Sequence, residues 1–178
     1  MPSSTPTHDL VILGGGSGGY AAALRAAELG LTVALVEKGK LGGTCLHSGC
    51  VPTKALLHAA EVADSTRESA TFGVNATFEG IDMAAVRDYK DKIIAGKFKG
   101  LQGLLTEQQV AFNASQAGRV LPVLFEKKGR HGAQAIGRSP YLQSVHVEDA
   151  DQLIGRIVPV EIISGQQNSL SGRLIQTN

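Results

Sequence analysis

Two cysteines five residues apart are the strongest candidates for chemistry in this sequence. Cys45 and Cys50, the only cysteines, lie in the segment LGGTCLHSGCVPTK at residues 41–54. On an ideal helix five residues advance about 7.5 Å and turn well past one revolution, so the two side chains would point apart. A disulfide needs the two Cα atoms within about 7 Å. We therefore expect a distorted first turn, which Gly49 and Pro52 make feasible.

Thiol–disulfide exchange is the chemistry that such a pair favours. A bridge across a distorted turn would be strained and easily reduced. A thiolate at a helix start also lies near the positive end of the helix dipole, which predicts a lowered thiol pKa. The residues alone leave two other roles open: a static disulfide, or a zinc site that would also use His47 and His58.

The elements before the cysteines have the order of a nucleotide-binding unit. The apolar run Asp9–Leu13 predicts a buried parallel strand. Residues 20–29 predict an Ala-rich helix that Gly30 ends, and residues 31–36 predict a second strand. Strand, helix and strand in this order indicate a Rossmann-like α/β arrangement.

A glycine-rich turn joins the first strand to the helix. We expect Gly14 to make the tight turn, Gly16 to let the backbone approach a pyrophosphate, and Gly19 to let the helix pack closely. The helix N-terminus would face the phosphates, and Glu37 would receive the ribose hydroxyls. The alternative is a glycine-rich turn that serves the fold alone.

The cysteine segment resembles the redox-active motif of the FAD-dependent disulfide oxidoreductases, and most of all that of the dihydrolipoamide dehydrogenases. Their pattern is Gly-Gly-Thr-Cys-Leu-Asn-x-Gly-Cys-x-Pro-x-Lys, and this chain has His47 where Asn is commonest. The resemblance implies that Cys45 exchanges with a dithiol substrate such as dihydrolipoamide and that Cys50 stacks against the flavin. It implies FAD as cofactor, with Lys54 near the flavin N5. Gly43 and Thr44 are the other cofactor-binding candidates in this segment.

This resemblance runs from about His8 and fades between Phe98 and Val110. A helix is expected from Asp82, a plausible N-cap, because apolar residues then recur with a period near 3.6. No second glycine fingerprint follows, so the resemblance implies a partial FAD-binding domain over residues 8–100. We expect any such dehydrogenase to be weakly active or inactive, because the nicotinamide and dimerisation domains of the family have no counterpart in this sequence.

The sequence changes character after a connecting helix at residues 101–117. Five β-rich runs separated by turn residues predict a small, OB-like, five-stranded barrel over residues 118–176. The runs are Arg119–Phe125, Ala133–Gly137, Leu142–Glu148, Ile154–Ile163 and Leu170–Ile175. Five short motifs in this part resemble the TRAM domain of the tRNA methylthiotransferases, and the similarity spans about residues 101–176. They are Ala111–Arg119, Phe125–Gly129, Gly137–Gln143, Leu153–Gly155 and Asn168–Gly172.

The barrel sequence also contains a basic stretch. Between Glu126 and Glu148 there are four fixed cations and no acid. Each cation could neutralise a phosphate, and one ring could stack on a base. These RNA-binding candidates are Lys127, Lys128, Arg130, Arg138 and Tyr141. The resemblance implies a structured RNA or tRNA as partner, and the alternative is a solvated basic loop without a ligand.

The composition bounds the remaining possibilities. A net charge of +1 over 178 residues gives no global attraction to nucleic acid or to a membrane, and 43% apolar residues suffice for a packed core. Two cysteines and no hydrophobic leader indicate a reducing, cytoplasmic setting. No run approaches the roughly 18 apolar residues of a spanning helix, so no membrane partner is expected. We predict no metal site and a disordered tail over residues 1–7.

The two resemblances suggest a chimera: a natural gene fusion, a recombinant or a computed sequence. The predicted architecture is a Rossmann-like partial domain, a connecting helix and a barrel. Three hypotheses follow from it. The chain is an FAD-linked thiol–disulfide oxidoreductase segment, an RNA-binding module, or a chain in which neither half is functional.

Overall fold

The computed structural model describes residues 8–175, so the tail predicted at residues 1–7 lies outside the described part. The chain divides into two compact units, with the boundary in the sequence between Leu104 and Leu105. The first unit is α/β and the second is a β-barrel, as the sequence predicts. Among residues 8–175 the structure contains no helix with the length and apolar character that crossing a bilayer requires.

The first unit begins with two parallel strands and three helices. Strands β1 and β2 pair in parallel, with Leu10 opposite Val33. Helix α1 connects the two strands, and two further helices and a short 3-10 helix at Ser69–Phe72 follow. The elements are β1 (Leu10–Leu13), α1 (Ser17–Glu28), β2 (Val33–Val36), α2 (Gly43–His47) and α3 (Cys50–Arg67).

The prediction that the first strand is buried is wrong. Leu13 is 88% exposed and Val11 is 63% exposed, whereas the alternate residue Ile12 is half-buried. The sheet of this unit has two strands, and α1 packs on both of them. Side chains on a strand point alternately to opposite faces, so a sheet covered on one face leaves every second side chain of β1 in solvent.

A long helix, α4 (Met83–Ala114), begins in the first unit and extends past the boundary at Leu104. Asp82 caps its start, as predicted, because its Oδ1 accepts hydrogen bonds from the N–H groups of Ala84 at 2.8 Å and Ala85 at 3.1 Å. The connecting helix predicted at residues 101–117 is therefore the last part of a 32-residue helix that ends at Ala114.

Five strands close into a barrel in the second unit, in the order β3-β4-β5-β7-β6. All neighbouring pairs are antiparallel except β5 and β7, which are parallel. Val123, Phe125 and Val160 are fully buried in the interior, and β3 alternates buried with exposed residues up to Phe125. The strands are β3 (Val120–Lys128), β4 (Ala135–Arg138), β5 (Ser144–Val147), β6 (Ile157–Gly165) and β7 (Ser169–Leu174).

A buried amide connects the end of α4 to the barrel. Asn113 is 1% exposed, and its Nδ2 donates hydrogen bonds to the carbonyl oxygens of Gln166 at 2.7 Å and Gln167 at 3.1 Å. Its Oδ1 accepts from Gln143 Nε2 at 2.6 Å. A Cβ at Gly165 would overlap the Asn113 carbonyl, so helix and strand β6 are in close backbone contact.

Candidate functional site

The glycine turn after β1 has the geometry that a nucleotide-binding loop needs. Gly14 has φ +103° and donates a hydrogen bond to the Val36 carbonyl at 2.8 Å. A Cβ at Gly19 would overlap the Gly14 carbonyl oxygen, so this position requires glycine for close packing of α1. Gly16 precedes α1 without a side-chain cap, and a Cβ at Gly16 would meet no atom within 4 Å.

These features fit a phosphate-bearing cofactor. The N–H groups of the first turn of a helix have no partner within the helix and attract anions. Here α1 starts directly after Gly16, and the direction in which a Gly16 Cβ would point is open. A phosphate could therefore approach the backbone at this turn. The roles predicted for Gly14 and Gly19 agree with the turn and packing geometry, while pyrophosphate contact at Gly16 stays a prediction.

Glu37, the predicted ribose-binding residue, lies directly after β2 and holds the glycine loop. Its Oε2 accepts the Gly15 N–H at 2.7 Å, and its Oε1 accepts the Gly39 N–H at 2.8 Å. These backbone hydrogen bonds, first that of Gly15, lower the pKa of the Glu37 carboxyl. Gly15 was not among the site residues predicted from the sequence. A Cβ there would lie 2.6 Å from Leu41 Cδ2. The run of three consecutive glycines at residues 14–16 was the feature of the sequence that could have identified Gly15.

The glycine loop contacts the segment that leads to the cysteines. The Gly42 N–H donates to the Gly15 carbonyl at 2.8 Å. Gly43 has φ +59°, and a Cβ there would lie 2.9 Å from Gly16 Cα. The two motifs predicted separately from the sequence are therefore adjacent in space. Thr44 and Lys54, the other cofactor-binding candidates, are exposed at the starts of α2 and α3.

The distorted turn between the cysteines is present as a break between two helices. Cys45 lies in the short helix α2, and Cys50 is the first residue of α3. Gly49, between the two helices, has φ −119° and ψ −109°, and its N–H donates to the Thr44 carbonyl at 2.7 Å. A Cβ at Gly49 would lie 3.1 Å from that carbonyl oxygen. The chain folds back here, which brings the two thiols into hydrogen-bonding contact.

Both cysteines are free thiols in the structure, and the pKa of Cys45 is raised. The lowered pKa predicted from the helix dipole is therefore wrong for Cys45. Its thiol hydrogen bonds to the Cys50 side chain, which is the largest cause, and partial burial and the charge of Cys50 act in the same direction. The Cys50 N–H and the charge of Lys54 oppose the rise but do not cancel it.

The two histidines considered as zinc ligands have other partners. His47 Nε2 lies 2.8 Å from the Leu41 carbonyl oxygen, and its ring packs T-shaped on Phe98, with centroids 5.2 Å apart. His58 Nδ1 lies 3.3 Å from Glu61 Oε2. Within residues 8–175 no group of three or more His, Cys, Asp or Glu side chains is arranged to hold a metal ion.

The basic stretch on the barrel is partly neutralised by acids. Arg138 Nε lies 3.2 Å from Glu126 Oε2, and its Nη1 donates to the Leu142 carbonyl at 3.1 Å. Lys128 Nζ lies 3.3 Å from Asp151 Oδ2. The role of Asp151 was not predicted from the sequence, because this residue lies beyond the acid-free stretch and only the fold brings it close to Lys128.

The three other RNA-binding candidates differ in accessibility. Tyr141 is half-buried and packs T-shaped on Phe112, with centroids 5.3 Å apart, so its ring contacts other protein groups. Lys127 and Arg130 are exposed and have no ion pair among the described residues. Among the described residues, Lys127 and Arg130 are therefore the exposed charges of the predicted set that are not neutralised by an acid.

Two family models match the sequence. The model described as pyridine nucleotide-disulphide oxidoreductase matches residues 8–127. The model described as TRAM domain matches residues 114–175. The first match continues past the Phe98–Val110 region, where the resemblance was expected to fade, and overlaps the second. The chain is thus a two-part protein, with a flavoprotein-like part followed by a TRAM-like part.

Several curated relatives of this chain are dihydrolipoyl dehydrogenases. Dihydrolipoyl dehydrogenase of Bacillus subtilis (strain 168) is 45% identical over 119 residues, which are 66% of this chain and 25% of that protein. Mitochondrial dihydrolipoyl dehydrogenase of Dictyostelium discoideum is 43% identical over 112 residues, 62% of this chain and 23% of that protein. Mitochondrial dihydrolipoyl dehydrogenase 1 of Arabidopsis thaliana is 31% identical over 171 residues, 95% of this chain and 34% of that protein. The chain therefore spans 23% to 34% of the length of these relatives.

A solved structure is also similar. It is the Cu(II) complex of the HOCl-induced flavoprotein disulfide reductase RclA from Escherichia coli, with a TM-score of 0.46 and 26% sequence identity. The match covers 58% of this chain and 20% of that one.

Proposed function

The chain belongs to the pyridine nucleotide-disulphide oxidoreductase family, and from this premise we propose that residues 8–104 bind FAD and exchange a disulfide with a small dithiol such as dihydrolipoamide. One structural observation carries the proposal. The segment that leads to Cys45 hydrogen bonds directly to the glycine loop, through the Gly42 N–H and the Gly15 carbonyl. A nucleotide bound at the loop would therefore lie beside the cysteine pair.

The exchange uses Cys45 as the attacked sulfur and Cys50 as the leaving thiolate. In the oxidised protein a substrate thiolate attacks Cys45 Sγ, breaks the bond to Cys50 and forms a mixed disulfide. The second substrate thiolate then attacks the substrate sulfur of that mixed disulfide. The substrate leaves as a disulfide, and its two electrons remain on the cysteines, which take up the two protons that the substrate thiols released when they became thiolates. A bound flavin would supply the next acceptor for those two electrons.

We expect the activity to be weak. The glycine loop projects from a sheet of two strands, and Leu13 at the end of β1 is 88% exposed. A flavin bound there would be poorly enclosed, and water would weaken the interactions that position it. The nicotinamide-dependent part of the cycle is not proposed for this chain.

An anaerobic titration of the purified protein with dihydrolipoamide tests the proposal. We expect less than one flavin per chain in the visible spectrum and bleaching of that flavin by the dithiol. Cys45→Ser should retain flavin and lose the bleaching, and Ser65→Ala, an exposed position near the other end of α3, should behave as wild type.

Two results would contradict these expectations. A protein that binds no flavin after incubation with excess FAD would refute the proposed function. Stoichiometric flavin that dihydrolipoamide reduces and NAD reoxidises would refute the weak activity alone.

A second proposed function is RNA binding by the barrel. It is supported by the TRAM match over residues 114–175 and by two exposed cations, Lys127 and Arg130, on and just after β3. Each cation that contacts a phosphate releases counterions on binding, so affinity would fall with salt. The candidate ligand is a structured RNA such as a tRNA stem.

Filter binding of a tRNA at several salt concentrations tests this function. The variant Lys127→Glu/Arg130→Glu should bind more weakly, and its salt slope should be lower by about 2. The control Arg87→Glu/Lys97→Glu changes net charge equally at exposed positions of α4 and should bind like wild type. Equal weakening by the two variants would show a non-specific charge effect and refute the site.

A further inference from the structure

We propose that His47 is a positioning residue for the cysteine pair. Its imidazole holds helix α2, and with it Cys45, between the Leu41 carbonyl and the Phe98 ring. The inference rests on the redox role proposed for Cys45 and Cys50, and it concerns how the fold sets the reactivity of that pair.

The cysteine pair needs such a support because its two members lie on different helices. Helix α2 has five residues, and helices of this length are not stable by themselves. It begins after Gly42, at φ +105°, and is separated from α3 by the break at Gly49. The separation of Cys45 from Cys50 therefore depends on what fixes α2 relative to the rest of its unit.

His47, the last residue of α2, makes two contacts that fix this helix. Its Nε2 lies 2.8 Å from the Leu41 carbonyl oxygen, which can only accept, so Nε2 carries the proton. Its ring packs T-shaped on Phe98 of α4, with centroids 5.2 Å apart and an interplanar angle of 71°. The first contact ties α2 to the chain that precedes it, and the second ties it to α4.

Substitutions at position 47 can remove the contact with Leu41 and the contact with Phe98 one at a time. An Asn amide can donate to the same carbonyl but presents no ring to Phe98. A Phe side chain could pack on Phe98 but has no donor for Leu41. His47→Asn should therefore keep one restraint, His47→Phe the other, and His47→Ala neither.

The equilibrium with glutathione measures the effect without any flavin. Protein dithiol and one oxidised glutathione give the protein disulfide and two reduced glutathiones, so two electrons pass to glutathione. We expect His47→Ala to lower the equilibrium constant for disulfide formation about two- to tenfold. His47→Asn and His47→Phe should lie between Ala and wild type. His58→Ala, which removes an exposed histidine of α3, should match wild type.

A double-mutant cycle tests the Phe98 contact specifically. Phe98→Leu alone should lower the constant as His47→Asn does, and it should have little further effect in the His47→Ala background. Hydrogen exchange of the α3 and α4 amides is measured in each variant, so that loss of the unit's fold is detected separately.

The possible results distinguish the positioning role of His47 from the proposed redox pair and the proposed FAD function. Equal constants for wild type and His47→Ala, or a fall explained by unfolding of α3 and α4 in all His47 variants, would overturn the positioning role. A wild type that forms no Cys45–Cys50 disulfide at any glutathione ratio would overturn it together with the redox pair. A normal glutathione equilibrium in a protein that binds no flavin would refute the proposed FAD function and leave the role of His47 standing.

Discussion

Replacement of Gly19 by Ala should destabilise the first unit through a steric conflict that the structure locates. A Cβ at Gly19 would overlap the Gly14 carbonyl oxygen and lie 3.0 Å from its carbonyl carbon. Both are backbone atoms of a turn with φ +103°, so neither can move as a side chain would. Helix α1 would have to shift away from the turn, and overpacking of this kind costs about 1–3 kcal/mol.

The neighbouring glycine provides a matched control. Gly18 also lies in the first turn of α1, and a Cβ there would meet no atom within 4 Å. Both substitutions gain the higher helix propensity of Ala, up to about 1 kcal/mol. The difference in unfolding free energy between Gly18→Ala and Gly19→Ala therefore isolates the conflict, and we expect it to be about 1–3 kcal/mol.

Urea denaturation, with hydrogen exchange of α1 amides as the local probe, measures this difference. FAD titration of the same variants should show that Gly19→Ala binds more weakly than Gly18→Ala. If the two variants were equally stable, the close contact between α1 and the Gly14 turn would not exist in solution, and this turn would not have the geometry of a nucleotide-binding loop.

Four further substitutions have expected outcomes. Cys50→Ala should lower the pKa of the Cys45 thiol, because the substitution removes the hydrogen bond and the charge that raise this pKa. Alkylation of Cys45 at a fixed pH below its pKa should therefore become faster. The lowered pKa of Glu37 means that its stabilising effect is fully present above the ordinary carboxyl pKa and is lost as pH falls through the folded pKa. The difference in urea midpoint between wild type and Glu37→Gln should shrink over that window, and a constant difference would contradict the contact. Asn113→Ala should destabilise the barrel by about 1–3 kcal/mol, because two carbonyls and one amide lose their buried hydrogen-bond partner. Phe125→Ala should destabilise it by about 3–5 kcal/mol, because it removes a fully buried ring. Hydrogen exchange of the core amides measures both effects.

Most of the correct predictions came from local sequence patterns, in which the residues involved are close together in the chain. Gly14 and Gly19 predicted the turn because the need for glycine at both positions arises from residues close in the sequence. The break between Cys45 and Cys50 followed from spacing and from Gly49. The cap at Asp82 and the five barrel strands followed from residue type and turn spacing in the same way.

Properties that depend on distant groups were the ones missed. The burial of β1 was overestimated because it depends on which elements pack on the sheet, and the side chain of Leu13 is exposed. The raised pKa of Cys45 was not predicted because its largest cause is the contact with the neighbouring Cys50 thiol. The pairing of Lys128 with Asp151 and the parallel contact between β5 and β7 join residues that only the fold brings together.

The two sheets of this protein differ in their exposure to intermolecular pairing. The barrel is closed, so each of its strands is hydrogen-bonded on both sides and offers no free edge to another chain. Among the described residues, strands β1 and β2 each have one neighbour, and Val11 on the uncovered face of β1 is exposed. Aggregation of this chain should therefore begin with edge-to-edge addition at the four-residue strands of the first unit, while a proteolytically released barrel should remain monomeric.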